Sequence, residues 1–436
     1  MPEKPSSPFE SSDQRQRAWI ASLLFQRQNR LMPRFAAAMA RLRELPRAPR
    51  RWFQRKAAVT LAGAAMILAL GAANFGPPGA GVAYAATITV DNGAVALDPG
   101  NGDCSLIEAV LNANDDGNDH SGGDCDLGAG ADTITLPAAG SFSFTSSYVY
   151  DIGNNGLPTI TSEITIAGNG STLDLGGSAV AIRLALVDPS GDLTLENTTV
   201  TDGYMFDFLF GGGIFSVEGG NLTISGSTLR DSETSSYGGA IRMSVGGTLL
   251  VTNGSTISGN SAFRGGGIYS RDSDITIENS SVSGNYAERT GGGVQTFGGS
   301  LYITGGTINN NGWEPGQIGV VGGVDYGGGV FAHDGALTIL NSTFDGIYGG
   351  YGGGGLRLQD ITGAVITGST ISNNAAQSGG GIQWGAFGDS GAYPVIGAIT
   401  NSTISGNEAA YNGGGISVST GELTLNNVTI SSNTAG

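Results

Sequence analysis

His333 and Asp334 stand side by side, and Arg357 follows 24 residues after His333. An imidazole beside a carboxylate can move a proton, and a guanidinium can hold the carboxylate of an acidic sugar. Little else in the chain offers such chemistry. Beyond residue 85 there are seven arginines, no lysine and two histidines, His120 and His333. No Gly-His-Gly, Asn-Thr-Asp, Asp-Asp or Arg-Ile-Lys combination accompanies the cluster in the repeats around it. The expectation is recognition or adhesion without catalysis, the chain not being an enzyme. The alternative is an extracellular lyase or hydrolase acting on an acidic glycan.

The same residues belong to two columns that recur along the chain. One reads Phe215, Arg242, Tyr269, Gln295, Phe331, Arg357, Gln383 and Ser417; its neighbour reads Val217, Ser244, Arg271, Phe297, His333 and Gln359. Aromatic rings with scattered arginine bind glycans or protein surfaces well. The candidate binding residues are therefore Phe215, Arg242, Tyr269, Arg271, Phe297, Phe331, His333 and Arg357. The competing reading is that stacked strands simply favour aromatics for cross-strand packing.

The elements that position these columns are set by a repeat. A glycine corner leads into an aliphatic residue eight times, at Ile214, Ile241, Ile268, Val294, Val330, Leu356, Ile382 and Ile416. The gaps are 27, 27, 26, 36, 26, 26 and 34 residues. Such a period means one unit stacked on itself. Each unit holds three short alternating segments, for example Ile268-Tyr269-Ser270-Arg271, Ile275-Thr276-Ile277 and Ser281-Val282-Ser283. Alternation over three to four positions reads as strand. The fold class predicted is all-β, a right-handed parallel β-helix of the pectin-lyase-like kind with about 9–10 rungs. Glycine at the corner supplies positive φ. Asn260, Asn285, Asn311, Asn374, Asn407 and Asn433 each follow the third-segment aliphatic by three residues, and read as a structural ladder at a turn. Sequons at Asn279, Asn341, Asn401 and Asn427 read as turn asparagines rather than glycosylation sites.

Two resemblances attach to these motifs. Gly238-Gly239-Ala240-Ile241 with Ile257-x-x-Asn260 resembles the paired repeats of chlamydial polymorphic outer-membrane proteins, with Gly for Ala in most other copies and Ile or Val in place of Phe. Cys104-Ser105-Leu106-Ile107-Glu108-Ala109 resembles the bacterial CSLREA domain, with Ile107 in place of Arg; Asp132-Thr133-Ile134-Thr135-Leu136-Pro137 and Leu157-Pro158-Thr159-Ile160 also fit. The second resemblance covers roughly residues 87–175. Together they imply an N-terminal cap on a β-helix exported to a cell surface. Ser105 with Glu108 is a capping box, so a short helix is predicted over residues 105–113.

Residues 1–85 read as an extended signal peptide. A basic region is followed by an apolar stretch at 57–73, too short to span a membrane comfortably, and by Ala83-Tyr84-Ala85 as the cleavage signature. Residues 86–185 then form the cap and first rungs, and 186–436 the repeats, which stop inside a unit as if truncated. After residue 85 the chain carries 7 basic and 33 acidic side chains, a net of −26 (20 − 13 basic against 37 − 4 acidic). That excludes nucleic acid as a partner and suits an extracellular module on the outer surface of a bacterium, facing a glycan or a neighbouring cell's surface protein. Cys104 and Cys125 are expected to pair in an exported chain. No cofactor or metal is called for. The run from Asn114 to Asp119 offers oxygen ligands for calcium but lacks the EF-hand pattern, and reads as a solvated loop. Two long excursions, at about 311–326 and 385–398, carry Trp313, Glu314, Tyr326, Phe387 and Tyr393.

Overall fold

The computed structural model describes residues 85–91, 93–150, 153–206, 211–312, 327–385 and 394–436. The leader reading therefore lies outside the described residues, Ala85 excepted. So do Trp313, Glu314, Tyr326, Phe387 and Tyr393.

The chain winds as a parallel β-solenoid of about ten turns. One turn shows the plan. Ile268–Arg271 is the first strand, Asp274–Glu278 the second, Ser281–Ser283 the third, and Tyr286–Thr290 a fourth that the three-segment reading missed. Each pairs in parallel with its counterpart a turn away: Ile268 with Val294, Ile275 with Leu301, Val282 with Ile308, Ala262 with Ala287. The fourth segment escaped the sequence reading because Tyr-Ala-Glu-Arg-Thr shows too little apolar alternation to register as a strand.

Side chains alternate across each strand, so one set points inward on every turn. Ile241, Ile268, Val294, Val330, Leu356 and Ile382 stack as one buried column; Leu222, Leu249, Ile275, Leu301 and Leu337 form another; Leu229, Ile257, Val282, Ile308, Phe344 and Ile371 form the third. Burying each of these is worth roughly 1.5–3 kcal/mol relative to exposure, and no single turn could bury them alone.

The glycine corner has two separate causes. Gly265 has φ +63°, a conformation that a side chain disfavours. Gly266 is not in that region, yet a Cβ there would lie 2.2 Å from the Tyr286 carbonyl oxygen and 2.3 Å from that of Gly292. Positive φ thus explains the first glycine, and close approach of stacked backbones explains the second. The asparagine ladder stands as read. Asn260 Nδ2 donates to Asn285 Oδ1 at 2.9 Å, and Asn285 Nδ2 donates to Asn311 Oδ1 at 3.0 Å. The sequon asparagines 279, 341, 401 and 427 all have positive φ, between 46° and 53°, as turn residues should.

The solenoid begins at Thr87–Thr89, paired with Asp132–Thr135. Between them lies the helix Leu106–Asn114, with Ser105 as N-cap and the reciprocal capping box formed with Glu108. Cys104 and Cys125 are disulfide-bonded beside it. Much of the acidic loop serves its own turns: Asp124 accepts from the backbone N–H groups of Gly100, Asn101 and Gly102. No helix among the described residues is long and apolar enough to cross a membrane.

Candidate functional site

The outward side of the first sheet is where the candidate residues fall, with one register error. Phe215 pairs with Ile241, and Ser216 with Arg242. The corner is Gly212-Gly213-Ile214-Phe215, in step with Gly238-Gly239-Ala240-Ile241: Gly211 stands opposite Tyr237, and Ile214 takes the place of Ala240. Phe215 therefore joins the inward column and is 0% exposed; it is core, not a binding residue. Ile214 stands one place before that column. In the neighbouring column Glu218, not Val217, pairs with Ser244.

The remaining candidates come together, but they are more covered than an outward column suggests. Each fourth strand ends immediately before the glycine corner, so Tyr237, Arg264 and Thr290 stand against the first-sheet column as it turns away. The Tyr237 ring stacks on Tyr269 at 4.7 Å, and Thr290 Oγ1 bonds Gln295 Oε1. Tyr269, Phe331 and Arg357 are buried. Burial, the largest cause, pushes the Tyr269 phenol up; the charge of Tyr237 adds to this, and Arg264, Arg271 and Arg242 oppose it. Arg242 is ion-paired with Glu218 and donates to Ser216 Oγ at 3.1 Å. Arg271 is exposed.

What remains open is a cleft of about 270 Å³ between the first sheet and the ends of the fourth strands. Arg264, Arg289, Thr290, Gln295, Phe297, Phe331, His333 and Gln359 line it. A line of rings runs through it: Tyr269 to Phe297 at 6.4 Å, Phe297 to Phe331 edge-on at 6.1 Å, and Phe297 to His333 at 5.0 Å. The Arg357 guanidinium lies 5.8 Å from the Phe331 ring centre, and Arg264 and Arg289 flank Phe263 at 5.8 and 5.6 Å. Arg264, Arg289 and Tyr237 were missed from sequence. For Tyr237 and Arg264 the signal was the residue just before each corner; Arg289, one place further back beside Thr290, has no such signal.

At the far wall His333 sits between two carboxylates. Its Nε2 is 3.3 Å from Asp360 Oδ2 and its Nδ1 is 3.2 Å from Asp334 Oδ2. Arg357, grouped with His333 and Asp334 by sequence, occupies the column next to theirs. Asp360 takes its place in the cluster. Among the described residues, these three form the one group of His, Cys, Asp and Glu with the spacing to hold a metal ion.

The fold defines the class of the protein. Residues 133–344 match a family model described as a right handed beta helix region. Comparison with curated proteins returns no match. Among solved structures, the A-module of the Azotobacter vinelandii mannuronan C-5 epimerase AlgE6 is similar at 16% identity. That alignment has a TM-score of 0.39 and covers 76% of this chain and 90% of the other. This likeness is one of fold. The expectation that the chain is not an enzyme is withdrawn, because the similar protein is itself named as an epimerase; that activity is stated of it alone.

Proposed function

We propose that the cleft along the first sheet binds an extended, carboxylate-bearing glycan. One observation carries this reading. Five of the seven arginines after residue 85 (Arg242, Arg264, Arg271, Arg289 and Arg357) gather on or beside one face of a body with a net charge of −26. Repulsion among the acidic groups would be relieved by arginine anywhere on the surface, so it does not account for its concentration here. Arginine matches a carboxylate with two parallel hydrogen bonds, and the rings Phe297 and His333 offer flat surfaces to sugar rings. An exported or surface-displayed module suits such a ligand. The basic leader with its Ala83-Tyr84-Ala85 signature, the Cys104–Cys125 bridge and the CSLREA-like segment support that placement.

The test is titration with oligouronates against neutral oligosaccharides of equal length. Acidic chains are expected to bind more tightly, with affinity falling as salt rises. Arg289→Ala and Phe297→Ala should each weaken binding about tenfold with unchanged circular dichroism. Equal affinity for neutral and acidic chains would sink the proposal.

A second reading, chemistry on the same glycan, is favoured by His333 and its two carboxylates at the cleft wall. Incubation of oligouronates with the protein, read by absorbance of unsaturated uronate and by proton NMR of the sugar, separates the two.

A further inference from the structure

We propose that His333, Asp334 and Asp360 form a site for a first-row divalent metal of the zinc type. The site does not depend on the arginine face that carries the glycan reading, although His333 lines the same cleft. Asp334 and Asp360 occupy the same turn position on successive rungs, directly after the paired residues His333 and Gln359. Aspartate is favoured there because it tolerates the positive φ of 50° and 55°. The bland account, two turn aspartates, stops at that point and leaves the rest unexplained.

Asp272 holds the same turn two rungs earlier, but Gly298 separates it from Asp334, and Arg271 precedes it in place of a histidine. Only at His333 do an imidazole and two successive turn carboxylates meet. All three offer ligand atoms within 4.8 Å of one another. The 3.3 Å between His333 Nε2 and Asp360 Oδ2 is the separation of two ligands held about 2.0–2.1 Å from a metal at a near-tetrahedral angle. The Asp360 side chain is only 11% exposed, and its Oδ1 is buried with no hydrogen-bond partner. Asp334 Oδ2 lies 3.2 Å from His333 Nδ1, on the other edge of the ring, so Asp334 must turn toward Nε2 to share one ion with Asp360. A buried carboxylate oxygen left bare is costly, and an ion is one remedy. Imidazole with two carboxylates selects a zinc-type metal over calcium or magnesium, which take oxygen ligands. The exposed Asp334 side chain has room to close on the ion.

The test is calorimetric titration of the disulfide-bonded protein with zinc chloride, repeated with calcium chloride. One zinc per chain is expected, with calcium at least tenfold weaker. Asp360→Asn and His333→Ala should each lower zinc affinity at least tenfold, and Asp272→Asn should leave it unchanged. The chain after residue 85 has two histidines, so NMR of their ring protons gives a readout that needs no variant. Zinc should shift the His333 signals and leave those of His120 in place. Absence of one-to-one binding, calcium binding as tight as zinc, or a shift confined to His120 would each overturn the site.

Discussion

Replacing Asn285 by alanine tests the stacking logic of the whole solenoid. The Asn285 side chain is buried and makes four hydrogen bonds. Its Oδ1 accepts from Asn260 N at 3.0 Å and Asn260 Nδ2 at 2.9 Å; its Nδ2 donates to Ile257 O at 2.9 Å and Asn311 Oδ1 at 3.0 Å. A net 0.5–1.5 kcal/mol per bond would total roughly 4 kcal/mol if all four were lost independently. They are not independent. Asn260 Nδ2 keeps Leu229 O at 3.2 Å, and Asn311 Oδ1 keeps Asn285 N at 3.0 Å. The group with no second bond is the buried Asn260 N–H, whose stranding alone costs about 1–3 kcal/mol. An overall loss of about 3 kcal/mol is expected, confined to adjacent rungs because each contacts only its neighbours. Hydrogen exchange measures it directly. Protection of the Asn260 amide should fall by about two orders of magnitude, since 1.4 kcal/mol is a factor of ten, while amides near Leu193 keep theirs. Glu288→Ala, at an exposed position of the fourth strand, serves as the control. Unchanged Asn260 protection, or a loss below 1 kcal/mol, would refute the ladder as a stabilising device.

Phe215→Ala should cost about 3–5 kcal/mol, as a core deletion does; a loss near zero in chemical denaturation would return Phe215 to the surface. Gly266→Ala should disrupt its corner far more than Gly254→Ala: at Gly254 the side chain meets only the cost of φ +76° with nothing within 4 Å, while at Gly266 it strikes two carbonyls; comparing soluble yield and thermal midpoint of the two variants decides it. Burial holds the Asp132 carboxyl above its usual range despite the opposing backbone hydrogen bonds from Ala129 and Ala86. Its ionised form is therefore disfavoured in the folded cap, and its contribution to stability is lost as pH rises from the ordinary carboxylate value through the raised one. Asp132→Asn should flatten the fall in cap stability over that window, read by hydrogen exchange at Thr133; a steeper fall would show the sign to be wrong.

How much of this was legible beforehand follows the range of the forces involved. The solenoid, its inward aliphatic columns, the asparagine ladder and the capped helix at Leu106–Asn114 all declare themselves in residue order. A repeat copies the same local geometry onto every turn, so period alone aligns distant residues. The alignment failed where the local rule broke: Gly211 fills the place that Tyr237 holds on the next turn, so the triple glycine starts one residue early and Phe215, not Ile214, enters the core column. The fourth strand was illegible because its pairing comes from neighbouring turns rather than from its own alternation. With it went the cleft. How far Tyr269 and Gln295 are covered depends on Tyr237 and Thr290, which reach them only when the chain folds back through a glycine corner. Asp360 was likewise an ordinary turn residue in the sequence. It is the 3.3 Å to His333, set by the stacking of one rung on the next, that makes it part of a site.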